Sequence, residues 1–289
     1  MTRRMNFAAR VINKLFFLHQ YYLLYDLGGA APQDFVRYQE LVPSKDRFWA
    51  DPFVVCRDGR CCLFIEEYFY RRGRGHLAVM ELEPQGDWTA PVPILEKPYH
   101  LSYPFVFESE GVMYLVPESA ENRTIDLYEC VDYPTQWRYK KTLMEEVQAV
   151  DSTLLRWQDR WWLFTGIAPH KKALPFVDLH LFVTDDLLCG EWRPHPMNPV
   201  IPQVECARPA GRLFERDGKL IRPAQDCSKM YGYGIDFYEI MELSNTNYIE
   251  RKTASIQPGW EPKVLATHTF SQAGSLTVID ALQKRWKWG

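Results

Sequence analysis

Apolar and polar residues alternate in short runs along the chain, each run broken by a tight turn and followed by a second apolar run. The pattern is clearest where Asp51-Pro-Phe-Val-Val-Cys-Arg57 leads into Asp58-Gly59 and the chain returns through Cys62-Leu-Phe-Ile-Glu-Glu67. Period-two alternation around an Asp-Gly pair predicts a β-hairpin. The design recurs from Tyr103 to Ser119 with Glu110-Gly111 at the turn, from Asp151 to Gly166, from Arg208 to Asp226 with Asp217-Gly218, and in a degenerate copy from His268 to Asp280. Successive copies start 52, 48, 57 and 60 residues apart, enough for a four-stranded sheet with loops in each. Self-similarity at such a period marks a repeat architecture. The expected fold is therefore all-β: one five-bladed β-propeller over residues 1–289, with four-stranded blades starting near 51, 103, 151, 208 and 268.

Outer strands are predicted at 76–82, 125–130, 179–184 and 235–241. The fifth copy stops near the end of the sequence, so its outer strand must come from elsewhere, and Tyr21-Tyr-Leu-Leu-Tyr-Asp26 suits that place and would close the ring. Before it, residues 1–19 carry Arg3, Arg4, Arg10 and Lys14 among Phe7, Val11, Ile12, Leu15 and Phe16 at helical spacing. A short basic amphipathic helix is expected there. It either lies on a membrane surface or packs against the propeller. Its apolar run is broken by charges and falls short of the roughly 20 residues that span a bilayer.

Composition narrows the function. A formal net charge of -3 leaves no basic footprint for nucleic acid, which is excluded as a partner. The seven cysteines show no paired metal-ligand spacing, so neither a zinc site nor a disulfide framework is expected, and reduced thiols in a cytoplasmic protein, peripheral on the inner face of the membrane if the helix binds lipid, fit that usage. Aromatic residues make up 15% of the chain, which serves a propeller core and also supplies platforms for sugar rings.

In a propeller the first strand of each blade lines the axis, so the residues that open those strands meet at one funnel mouth. Here they are Asp51, Tyr103, Asp151, Arg208 and His268. Polar residues at the head of apolar strands form either a working site or a structural ring of ion pairs, because an unpaired buried charge costs several kcal/mol. Asp51 and Asp151 supply the two carboxylates that glycosyl chemistry needs, one as base and one to orient or tune it. Arg208 and Arg222 could neutralise a phosphate or carboxylate, or could pair with these aspartates. Ends of the second strands add Glu66, Glu67, Glu118, Gln225, Asp226 and Asp280, and the loop Tyr231-Gly-Tyr-Gly234 offers Tyr231 and Tyr233 to a sugar. No metal and no cofactor is expected.

The segment Phe48-Trp-Ala-Asp-Pro-Phe53 with Asp151 resembles five-bladed propeller glycosidases of the arabinanase and β-xylosidase type, in which such aspartates are the general base and the pKa modulator. Aligning that family's blade-four general acid puts Ala207 in its place, with Glu205 two residues earlier. A broader resemblance rests on Trp49-Ala-Asp-Pro-Phe53, His100-Leu-Ser-Tyr-Pro-Phe105, Val116-Pro-Glu-Ser119, Val150-Asp-Ser-Thr153, Ala207-Arg-Pro-Ala-Gly211 and Arg222-Pro-Ala-Gln-Asp226. These are similar to the N-terminal propeller domain of glucosamine inositolphosphorylceramide transferases, which implies glycoconjugate synthesis. The expected function is a glycosyltransferase that takes a phosphate-activated sugar donor and a glycan or lipid-linked acceptor in surface polysaccharide or glycolipid assembly. A glycoside hydrolase with Glu205 as acid, and a non-catalytic glycan-binding module, are the alternatives.

Overall fold

The computed structural model describes residues 16–28, 37–168 and 175–287. Strands β1 (Phe17–Asp26) and β2 (Gln39–Leu41) come first in the chain but belong to the last blade. Blade one is β3 (Arg47–Arg57), β4 (Arg60–Phe69), β5 (Arg74–Glu81) and β6 (Val92–Leu95), and blade two is β7 (Ser102–Ser109), β8 (Val112–Glu118), β9 (Thr124–Asp132) and β10 (Gln136–Glu145). Blade three is β11 (Ala149–Trp157), β12 (Arg160–Ile167), β13 (Asp178–Thr184) and β14 (Arg193–Pro194). Blade four is β15 (Phe214–Arg216), β16 (Lys219–Asp226), β17 (Gly234–Leu243) and β18 (Tyr248–Ile256). In blade five, β19 (Val264–Ala266) and β20 (Phe270–Ala273) both pair with β21 (Leu276–Trp286), which pairs with β1 and through it with β2.

The ring is thus closed by an N-terminal strand, with Tyr21 opposite Leu282 and Asp26 opposite Thr277. β1 thereby covers the edge of β21 that would otherwise lie unpaired. The strand starts at Phe17, so a helix reaching residue 19 does not form, and residues 1–15 of the expected helix lie outside the described residues.

Apolar clusters fill the seams between blades. Leu23, Tyr25, Leu63, Ile65 and Ala78 join blades five and one, Phe53, Phe64, Phe105 and Leu115 join one and two, and Ile221, Phe237, Phe270 and Ile279 join four and five. Each fully buried Phe or Leu contributes roughly 1.5–3 kcal/mol, so the seams hold the blades in register around the axis. Blade four needs a glycine at its seam: Gly211 has φ +127°, and a Cβ there would lie 2.0 Å from the Phe270 carbonyl oxygen. One expectation fails outright. Cys56 and Cys61 face each other across the β3–β4 hairpin and form a disulfide. The remaining described cysteines, Cys62, Cys130, Cys189, Cys206 and Cys227, are free thiols.

Candidate active site

The heads of the three best-formed inner strands share one backbone device. Asp51, Tyr103 and Asp151 have φ of 51°, 46° and 50°, and each sits where the ladder to the second strand slips, between Ala50 and Phe53, Ser102 and Phe105, and Val150 and Thr153. A bulge of this kind re-aims a side chain, and a left-handed backbone on a bulky residue such as Tyr is held only where its surroundings fix it. Here each amide is caught by a carboxylate from the preceding blade. Asp51 N–H donates to Asp280 Oδ2 at 3.2 Å, Tyr103 N–H to Asp51 Oδ2 at 3.1 Å, and Asp151 N–H to Glu118 Oε2 at 3.2 Å. Part of the acidic ring therefore holds the blades together.

Within this frame lies an axial cavity of about 180 Å³. Tyr21, Phe48, Tyr68 and Tyr231 form aromatic walls, and Asp51, Glu66, Glu118, Arg208, His100 and His268 supply the polar groups. His268 Nδ1 lies 2.7 Å from Asp280 and Nε2 lies 3.5 Å from Asp51. Burial alone would depress its pKa, but the Asp280 and Asp51 carboxylates overcome that and push it up to about 9, so an imidazolium stands on the cavity floor at neutral pH. Asp51 Oδ1 also accepts from Thr269 Oγ1 at 2.9 Å.

Arg208 is engaged on every side. Its Nε donates to Asp151 at 2.5 Å, one terminal nitrogen to Glu118 at 3.4 Å and the other to the Pro175 carbonyl at 3.0 Å, and its guanidinium lies 4.9 Å from the Tyr231 ring centroid. Asp151 also accepts from Gln225 Nε2 at 3.2 Å and stands behind Arg208 rather than on the cavity wall. Burial pushes its carboxyl up while Arg208 opposes the shift.

Sequence reasoning misplaced several residues. Arg222 does not face the funnel: it is buried in a two-point pair with Glu250 at 2.7 and 2.6 Å, so it leaves no guanidinium for a donor phosphate. Glu67 is held by Trp49, Arg47 and His76 away from the cavity. Asp226 accepts from the Ser228 amide and Gln257, and Tyr233 contacts Lys229; neither lines the cavity. Tyr103 is buried below the cavity, its hydroxyl bonded to Thr153 and the Gly211 amide, so it braces the axis instead of meeting a ligand. Glu205 is exposed and lies off the cavity lining. Residues missed at the cavity are Tyr21, Phe48, Tyr68, His100 and Ser102. Of the adjacent candidates Glu66 and Glu67, Glu66 is the one that lines the cavity. Their signal was parity: Phe48 pairs opposite Tyr68, and Ala50 opposite Glu66, so all four share one face. Asp51, His268 and Asp280 also cluster closely enough to hold a metal ion, although a protonated His268 would not be a ligand.

Comparison with known proteins bears on the fold and the family. The catalytic domain of an α-L-arabinofuranosidase from Coprinopsis cinerea superimposes with a TM-score of 0.60 at 11% identity, covering 93% of this chain and 99% of that one, which establishes likeness of fold. In sequence, the chain is 32% identical over 206 residues to glucosamine inositolphosphorylceramide transferase 1 of Oryza sativa subsp. japonica, and 33% identical over 210 residues to the Arabidopsis thaliana protein of the same name. Each alignment covers 70% of this chain but only 27% of the relative, so the chain spans about a quarter of the length of the curated relatives it matches. The family model described as glucosamine inositolphosphorylceramide transferase 1, N-terminal, matches residues 38–259, and the chain belongs to that family.

Proposed function

We propose that this propeller is a glycosyltransferase, moving a sugar from a phosphate-activated donor to a glycan or lipid-linked acceptor in glycolipid or surface polysaccharide assembly, with the axial cavity as its sugar site. The observation that carries the reading is the cavity itself: aromatic walls around carboxyl, imidazole and guanidinium groups, at about 180 Å³ smaller than the roughly 300–1,000 Å³ of pockets for larger ligands. That size suits one sugar ring, with apolar faces against Tyr21, Phe48, Tyr68 and Tyr231 and hydroxyls donating to carboxylates. The transferase name of the relatives supports the same class. Asp51 is the aspartate of the pair that lines the cavity and is the base for the acceptor hydroxyl, while Asp151 positions Arg208.

Exposure of Glu205 counts against a hydrolase that uses it as acid. The test is a screen of the purified protein with nucleotide-sugar and sugar-phosphate donors against glycan and glycolipid acceptors, read by mass spectrometry. Transfer that disappears in Asp51→Asn supports the proposal. Cleavage of oligosaccharides without transfer would make the protein a hydrolase, and saturable sugar binding without turnover would make it a binding module.

A further inference from the structure

Among the described residues that line the cavity, Glu66 is the carboxyl with a buried oxygen that has no hydrogen-bond partner: the residue is 5% exposed, and its Oε1 lies unbonded between Gly75 and His100. Space is kept for it deliberately. A Cβ at Gly75 would lie 2.5 Å from Glu66 Oε1 and 2.6 Å from the Leu101 carbonyl, so only glycine lets the carboxyl sit there. A buried carboxylate with no donor would be costly, whereas a carboxylic acid can occupy the place and donate. The groups facing it are Asp51 from β3, Glu118 from β8, Asp151 from β11, Asp280 from β21 and His100 from the loop before β7. Burial first, and then the Asp51 and Glu118 charges, hold its carboxyl well above the usual carboxylate range.

His100 packs beside this acid and is partly open to solvent. Its Nδ1 accepts from the Gly75 amide at 2.9 Å, its Nε2 lies 3.6 Å from Glu66 Oε1, and its side chain is 35% exposed. Burial lowers its pKa, and an accepting Nδ1 leaves the proton of the neutral ring on Nε2, the nitrogen that faces Glu66.

We infer that Glu66 is the general acid of the funnel, set beside Asp51 on the same cavity. The inference rests on the transferase reading above. In the transfer step the acceptor oxygen bonds to the anomeric carbon as the bond from that carbon to the leaving oxygen breaks, its electron pair staying on the leaving oxygen. Glu66 gives its proton to that oxygen, and Asp51 takes the proton lost by the acceptor hydroxyl. Asp51 then returns its proton to solvent and Glu66 regains one from solvent through the cavity, which closes the cycle. This arrangement meets the leaving group with a proton where Arg208, already shared between Asp151 and Glu118, cannot meet it with free charge.

Two measurements test it. Infrared titration of the wild type should show a protonated-carboxyl carbonyl band that persists above neutral pH and is missing in Glu66→Gln; absence of that band in the wild type overturns the role while leaving the transferase reading intact. In kinetics, Glu66→Gln should slow donors with strongly basic leaving oxygens by roughly 10²–10⁴-fold, change donors with weakly basic leaving oxygens little, and abolish the alkaline fall in rate, because Gln has no proton to lose. Equal losses for all leaving groups would reduce Glu66 to a structural residue and overturn the inference. Should the variant fold poorly, the wild type decides: near-independence of rate from leaving-oxygen basicity is expected, and steep dependence refutes acid assistance. No turnover with any donor sinks the transferase reading and this role together.

Discussion

Replacing Asp280 by Asn removes the nearer of the two carboxylates that keep His268 charged. The imidazole sits 2.7 Å from Asp280 and 3.5 Å from Asp51, in a buried site that would otherwise favour the neutral ring. A rise from the ordinary 6.5 to about 9 corresponds, at 1.36 kcal/mol per unit, to roughly 3 kcal/mol of stability. Because the folded-state pKa is raised, that stability is fully present below pH 6.5 and is lost as pH rises through about 9. In Asp280→Asn only Asp51 and the weaker charge of Asp151 oppose burial, so His268 should titrate well below the wild-type value. The variant also loses charged acceptors for the His268, Thr269 and Asp51 amides, a pH-independent cost that must be separated from the titration. Urea denaturation of both proteins from pH 5.5 to 10, with imidazole NMR of His268, separates them. The stability gap between wild type and variant should shrink by roughly 3 kcal/mol across that range. A constant gap, or a wild-type His268 that titrates near 6.5, would refute the reasoning.

Other outcomes follow from the same contacts. Glu250→Gln leaves the buried Arg222 guanidinium without its partner charge and should cost about 3–5 kcal/mol in urea denaturation, with sugar affinity of the folded protein unchanged. Tyr103→Phe leaves the buried Gly211 amide without its acceptor, while the Thr153 hydroxyl keeps its bond to the Asp151 carbonyl, and should cost about 1–3 kcal/mol by the same measure, again without altering binding. Gly211→Ala forces a Cβ onto the Phe270 carbonyl at a backbone angle that alanine resists, and should lower the thermal midpoint more than either.

The blades were legible because each hairpin carries its own alternation and turn, and because ring closure requires a strand that the C-terminal copy lacks; Tyr21–Asp26 supplied it. Convergence of strand heads on the axis also followed from the repeat alone, which is why Asp51, Arg208 and His268 fall together at one cavity. Adjacent residues defeated the reading. Glu66 and Glu67 both stand at the end of β4, and a one-residue difference decides which face each occupies. Phe64 and Glu66 turn toward blade two, and Ile65 and Glu67 toward the blade-five seam; both faces of β4 are apolar before the glutamates, so alternation alone does not say which of the two meets the axis.

Arg222 failed for a different reason. Its partner, Glu250, lies on β18, two strands away in the sheet, and a pair formed across blade four leaves no local trace. The Cys56–Cys61 bond was missed because spacing argues for a framework of several bridges, whereas here a single pair happens to stand opposite in the hairpin register. Tyr21 and His100 could have been found by the rule that named the strand heads, had it been extended to the closing strand and to the loop entering blade two.

The central claim is that the axial cavity is where a sugar binds. Calorimetric titration of monosaccharides into the wild type, Asp51→Asn, Tyr231→Ala and Glu205→Gln tests it most directly. Saturable heat in the wild type and in Glu205→Gln, lost in Asp51→Asn and weakened in Tyr231→Ala, is the result this account expects; undiminished binding in both cavity variants would place the sugar elsewhere and contradict it.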